Sequence, residues 1–95
     1  MASITFYKAT PCGYCTAAFR FLVEHKQIPQ EDITIIDLTG DVKQRRELAQ
    51  KTGQRTVPQI YINGQYIGGY TELIASERRG ELAAIIALND EDYER

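Results

Sequence analysis

The chain has 95 residues, 43% hydrophobic and 25% charged, which suits one compact domain with its own core. Eleven Lys and Arg against 13 Asp and Glu give a net charge of -2, so there is no broad basic field for nucleic acid and no acidic solvating tract. The longest apolar runs, such as Ala83 to Leu88, fall far short of the roughly 20 residues that cross a bilayer, and no membrane partner is expected.

Ile4-Thr5-Phe6-Tyr7 is short, β-branched and aromatic, and reads as a first strand that ends at the turn-forming Thr10-Pro11. From Tyr14 to Lys26, Ala18, Phe19, Leu22 and Val23 recur at helical spacing, which predicts an amphipathic helix ending before Pro29. Ile33 to Leu38 has the length and composition of a buried strand. Gly40-Asp41 then offers a turn and an N-cap for a second helix, Val42 to Lys51, with Thr52-Gly53 as its stop.

After Val57-Pro58, two strands, Gln59 to Ile62 and Gln65 to Ile67, flank Asn63-Gly64, the strongest short-range hairpin signal. Gly68-Gly69 breaks the second strand, and Thr71 is expected to cap the helical segment that carries Leu73, Ile74 and then Leu82 to Leu88. Asn89 to Arg95 is polar and expected to fray. The order strand, helix, strand, helix, hairpin, helix predicts an α/β fold with a four-stranded mixed sheet (βαβαββα) and helices on both faces.

Only two cysteines are present, Cys12 and Cys15. A bridge between them closes too short a loop to constrain the unfolded chain much, so its value lies in opening and closing. At a helix start, the first sulfur sits at the exposed end and the second about one turn inward. Unpaired N–H groups and the helix dipole favour a thiolate on Cys12, and Lys8 adds positive charge, which makes Cys12 the nucleophile and Cys15 the resolving thiol. A zinc site would need two further ligands, and only His25 is to hand, so no metal is expected. His25 falls at the far end of that helix and has no catalytic assignment. A Cys-x-x-Cys at the first strand-to-helix junction is the thioredoxin-like arrangement. The start Met1-Ala2-Ser3 has no basic leader or cleavage site, so an intracellular, cytoplasmic setting is expected.

Four stretches in order carry a resemblance to the glutaredoxin family along essentially the whole chain: Lys8 to Cys15, Gly53 to Ile60, Ile67 to Leu73 and Gly80 to Leu82. The resemblance implies a single glutaredoxin domain over residues 1–95 and a glutathione-dependent thiol–disulfide oxidoreductase. Such an enzyme reduces protein–glutathione mixed disulfides and protein disulfides, and serves electron transport and cell redox homeostasis. Cys12 and Cys15 would form its redox-active disulfide. Thr56-Val57-Pro58 resembles the family segment in which a cis-proline faces the cysteines, leaving Val57 N–H and C=O to hold glutathione like an added strand. Gly69-Tyr70-Thr71-Glu72 resembles the second glutathione contact, where a helix start receives the γ-glutamyl group. Lys8 and Arg45, with Arg55 in addition, are suggested for the glycine carboxylate, and Tyr14 for shaping access.

The family's commonest dithiol motif has proline after the first cysteine, and here that position is Gly13. Glycine there also resembles relatives in which two chains and two glutathiones hold one [2Fe–2S] centre through their first cysteines, here Cys12. A cluster carrier or sensor is therefore the alternative, although Cys15 stands where many dedicated carriers have serine. A thioredoxin-reductase-coupled donor is a third reading, opposed by Gly68 to Thr71. The expected partners are glutathione and oxidised or glutathionylated proteins, with ribonucleotide reductase as a family-suggested client, and the expected state is a monomer.

Overall fold

Strand β1 (Ile4–Lys8) runs through the middle of the protein and pairs on both edges. The computed structural model describes residues 2–88, so the expected fraying of 89–95 lies outside the described residues. On one side β1 runs parallel to β2 (Ile33–Asp37), with Ile4 opposite Ile33 and Lys8 opposite Asp37. On the other it runs antiparallel to β3 (Gln59–Ile62), which turns back into β4 (Gln65–Gly68). The order is β2-β1-β3-β4.

Alternation decides the faces. Ile4 and Phe6 of β1 and Ile60 and Ile62 of β3 are fully buried on one face, beneath Ala18 and Leu22 of the first helical segment and Leu73 and Leu82 of the last. Each such aliphatic or aromatic side chain contributes roughly 1.5–3 kcal/mol relative to exposure. The helices concerned are α1 (Gly13–Arg20), α3 (Tyr70–Arg78) and α4 (Leu82–Ala87). On the opposite face, α2 (Val42–Thr52) is capped by Asp41, whose Oδ1 accepts from the Gln44 N–H at 2.9 Å. There Lys51 Nζ lies 5.0 Å from the ring centre of Tyr61, which itself touches Tyr7 and Tyr66. The α/β architecture with helices on both faces is as expected.

Four local features differ from the sequence reading. Strand β2 is an edge strand and not a buried one: Thr34, Ile35 and Asp37 are exposed, because only its β1 side is paired. The first helix continues past Arg20 as a π-helical turn, Phe21–His25, in which the Lys26 N–H donates to the Phe21 carbonyl. This wider turn carries Leu22 and Ile28 into the core. The final helix is two helices, because Gly80 takes φ 74°, a left-handed value that interrupts the α ladder between Arg78 and Leu82. The N-cap of α3 is Gly69 and not Thr71, which sits in the first turn.

Asn63 holds the hairpin and the end of the chain together. It takes φ 51° in the β3–β4 turn, ahead of Gly64 at 83°, as the Asn-Gly pair predicts. Its side chain is fully buried, with Oδ1 accepting from the Ser3 N–H at 2.8 Å. Its Nδ2 donates to the carbonyls of Ile85 (2.9 Å), Ile86 (3.2 Å) and Leu88. Glycine would keep the turn but leave these buried groups unpaired. Asn63→Gly is therefore expected to lower stability by about 2–3 kcal/mol and the melting temperature by roughly 10–20 °C. Urea and thermal unfolding test this; a loss under about 0.5 kcal/mol would contradict the role.

Candidate active site

The loop leaving β1 ends at Cys12, which has extended backbone (φ -160°, ψ 103°) and is the N-cap of α1. Gly13, Tyr14 and Cys15 then occupy the first three helical positions. A three-residue spacing therefore puts the Cys15 N–H at the point where an N-cap side chain accepts, and it donates to Cys12 Sγ at 3.0 Å. No acidic side chain occupies this first turn to compete with the sulfur. Negative charge on Cys12 is thus stabilised by a backbone donor and by the positive end of the helix dipole.

The two thiols differ in access. Cys12 is half-buried, whereas Cys15 is 3% exposed and packs into the core cluster. Their Cα atoms are 5.2 Å apart and the sulfurs are joined as a disulfide. An incoming sulfur can reach Cys12 from solvent, while Cys15 is reached through Cys12.

A second loop arrives beside the first because β1 and β3 are antiparallel neighbours, with Tyr7 opposite Gln59. The end of β1 and the start of β3 therefore share one end of the sheet. Cys12 Sγ lies 3.6 Å from the Val57 carbonyl oxygen, and the Val57-Pro58 peptide is cis, as is Thr10-Pro11. Pro58 is buried, Val57 half-buried and Thr56 exposed.

The β4–α3 turn closes the third side. A Cβ on Gly69 would come within 3.1 Å of the Pro58 carbonyl oxygen, so the absent side chain permits this approach. Glu72 reaches back, and its Oε1 accepts from the Gly69 N–H at 2.7 Å. At the next position Tyr70 stacks on Tyr14, with ring centres 5.9 Å apart, beside the cysteine turn. Tyr14 remains 66% exposed, so this aromatic pair forms an open wall and not a lid.

The structure thus gathers Cys12, Cys15, Tyr14, Val57, Pro58, Gly69 and Tyr70 at one end of the sheet. Lys8 lines a cavity that also includes Cys12. Thr71 and Glu72 are exposed in the first turn of α3, and Arg45 is exposed in α2, one turn after its N-cap.

Two positioning groups were missed in the sequence reading. Gln59 is 2% exposed, and its Nε2 donates to the carbonyls of Gln54 (2.8 Å) and Thr56 (3.0 Å), which holds the loop before Val57. On the other side, Thr39 donates from its N–H (2.9 Å) and hydroxyl (2.6 Å) to Asp37 Oδ1, and its Oγ1 accepts from the Thr10 N–H at 2.8 Å. This ties the β2–α2 loop to the loop that delivers Cys12. The Asp-x-Thr pattern after a strand is a local turn signal that could have revealed it. Thr39's hydroxyl and amide hold the Asp37 carboxyl below its ordinary value of 3.8, with a smaller pull from Lys8.

A reactive cysteine capping a helix, a resolving cysteine buried behind it and a cis-proline loop alongside define a dithiol oxidoreductase of thioredoxin-like fold. A family model described as Glutaredoxin matches residues 4–67. The chain belongs to the glutaredoxin family, the glutathione-dependent thiol–disulfide oxidoreductases. It is 34% identical over 86 residues to Glutaredoxin 3 of Escherichia coli (strain K12), covering 90% of this chain and 99% of that one. It is 38% identical over 81 residues to Glutaredoxin-1 of Saccharomyces cerevisiae, covering 81% of this chain and 73% of that one. Among solved structures, a buckwheat glutaredoxin–glutathione complex superposes with a TM-score of 0.74 at 28% identity, covering 90% of this chain and 76% of that one.

Because the folded-state pKa of Asp37 is depressed, its stabilisation is present above the unfolded value and is lost as pH falls through the folded one. Asp37→Asn is expected to be less stable than the wild type at about pH 7, with the difference shrinking as pH falls below the ordinary carboxyl value of 3.8, measured by urea midpoints. A difference independent of pH would contradict the Thr39 contact as its source.

Proposed function

We propose that Cys12 performs the exchange on glutathione mixed disulfides and that Cys15 serves protein disulfides. The carrying observation is the position of Cys12 Sγ, 3.0 Å from the Cys15 N–H and 3.6 Å from the Val57 carbonyl, with Cys15 buried behind it. For a protein–glutathione mixed disulfide, the Cys12 thiolate attacks the glutathione sulfur. The mixed disulfide breaks, a Cys12–glutathione bond forms, and the protein thiolate leaves and takes a proton from water. A glutathione thiolate then attacks the glutathione sulfur on Cys12, which releases oxidised glutathione and the Cys12 thiolate. For a protein disulfide, Cys12 attacks first and the Cys15 thiolate then displaces the protein from Cys12. That leaves the Cys12–Cys15 disulfide for two glutathiones to reduce.

Glutathione lies across the meeting point of the three loops. Val57 N–H and C=O pair with its cysteine moiety, with Thr56 and Pro58 shaping the strand-like slot. The amino end of α3 at Gly69, Tyr70 and Thr71 takes the γ-glutamyl carboxylate, and the second carboxylate oxygen of Glu72 faces the γ-glutamyl ammonium. Lys8 and Arg45 meet the glycine carboxylate, and the Tyr14–Tyr70 pair borders the sulfur site. The buckwheat complex, a relative caught with glutathione, supports this choice of ligand. The protein works as a monomer in the cytoplasm on glutathionylated and oxidised proteins, ribonucleotide reductase among them, within cell redox homeostasis and electron transport.

Replacing each cysteine separates the two roles. With the mixed disulfide of glutathione and mercaptoethanol, Cys12→Ser is expected to lose at least about a hundredfold in kcat/KM, while Cys15→Ser stays within a few fold of wild type. With a protein disulfide both variants lose activity. Comparable loss of both on the small substrate would overturn the assignment. In the same preparations a colourless monomer is expected, and visible absorption with a glutathione-dependent dimer would replace this reading with the [2Fe–2S] carrier.

A further inference from the structure

The Val57 loop approaches Cys12 from the β3 side of the central strand, and the β2 side carries a different surface. There a cavity of about 510 Å³ opens between α1 and the sheet edge. Cys12 and Cys15 lie in its lining, Phe6, Phe19 and Ile35 supply apolar walls, and Lys8 and Arg20 supply positive charge. It is continuous with the reactive sulfur and shares no residue with the Val57 or Gly69 loops.

Ile35 is the unusual member. On the same face of β2, Ile33 is 8% exposed, whereas Ile35, two residues on, is 48% exposed. A large β-branched side chain is thus left uncovered on an edge strand, inside a groove that leads to a nucleophile. Lys8 and Arg20 have carboxylate neighbours, Asp37 in register across the sheet and Glu24 at 3.4 Å. The Arg20–Glu24 pair is solvent-exposed and costs little to exchange for another carboxylate.

We propose that this groove docks a protein client through the segment flanking its disulfide: a large aliphatic side chain sits against Phe19 and Ile35, and an adjacent carboxylate is met by Arg20. The proposal rests on Cys12 as the attacking thiol and adds what selects among protein disulfides. Glutathione's contacts reach this groove only at Cys12 and Lys8, which leaves its Phe19, Arg20 and Ile35 end to the protein client.

The test uses two synthetic peptides, each with an internal Cys-x-x-Cys disulfide, one preceded by Glu-Leu and the other by Lys-Gly. The mixed disulfide of glutathione and mercaptoethanol serves as the third substrate. Partial burial of one leucine is expected to give the wild type about a fivefold or greater preference in kcat/KM for the Glu-Leu peptide. Ile35→Asn, at an exposed edge position, should abolish the leucine part of this preference, and Arg20→Glu the glutamate part. Both variants should keep wild-type activity on the small mixed disulfide. Equal rates for the two peptides with wild type, or an unchanged preference in Ile35→Asn, would overturn the proposal. A wild type inert toward the small mixed disulfide would remove the Cys12 reading and this proposal with it.

Discussion

The hydrogen bond from the Cys15 N–H to Cys12 Sγ makes one sulfur the cap of a helix and the next cysteine the residue that supplies the cap's donor. The Cys-x-x-Cys spacing performs both jobs at once. Three residues separate an N-cap side chain from the backbone donor it accepts from, and the same three carry the second side chain inward, where it is 3% exposed. Chemical inequality between two identical residue types follows from helix geometry. One thiol faces solvent at the positive end of a dipole, and the other is screened and placed to attack only what the first has bound.

The sheet then fixes what meets that sulfur. The antiparallel pairing of β1 and β3 brings the Cys12 loop and the Val57-Pro58 loop to the same end, and the β3–β4 hairpin returns the chain to deliver Gly69 against Pro58. Each loop is restrained by a polar side chain away from the chemistry: Thr39 holds Thr10, Gln59 holds Gln54 and Thr56, and Glu72 holds Gly69. Three loops are thereby placed around one nucleophile before any substrate arrives. On the β2 side the β2–α2 loop meets the Cys12 loop where Thr39 holds Thr10, and Ile35 is left exposed.

Signals that depend on neighbouring residues were legible in the sequence. The cysteine pair at a helix start, the Asp41 cap, the Gly53 stop at φ 78° and the Asn63-Gly64 turn all rest on interactions spanning a few positions. What depended on tertiary placement was not. Ile33 to Leu38 has the composition of a central strand, but strand order makes it an edge, and no local pattern distinguishes the two. Thr71 is the better N-cap by residue type, yet the helix starts two residues earlier, where Gly69 approaches Pro58 closely. The buried roles of Asn63 and Gln59 likewise come from partners far along the chain or around a turn that only the fold closes. At the site, the residue types were readable because a helix start and an X-Pro step are local, while the Thr39 and Gln59 supports lie outside those motifs.

The central claim is that helix position and burial make the two thiols unequal, and alkylation of the reduced protein tests it most directly. Under limiting iodoacetamide at mildly acidic pH, peptide mapping by mass spectrometry should find the label almost entirely on Cys12, with Cys15 modified only after unfolding. Labelling of Cys15 at a rate equal to or above that of Cys12 in the folded protein would contradict the account.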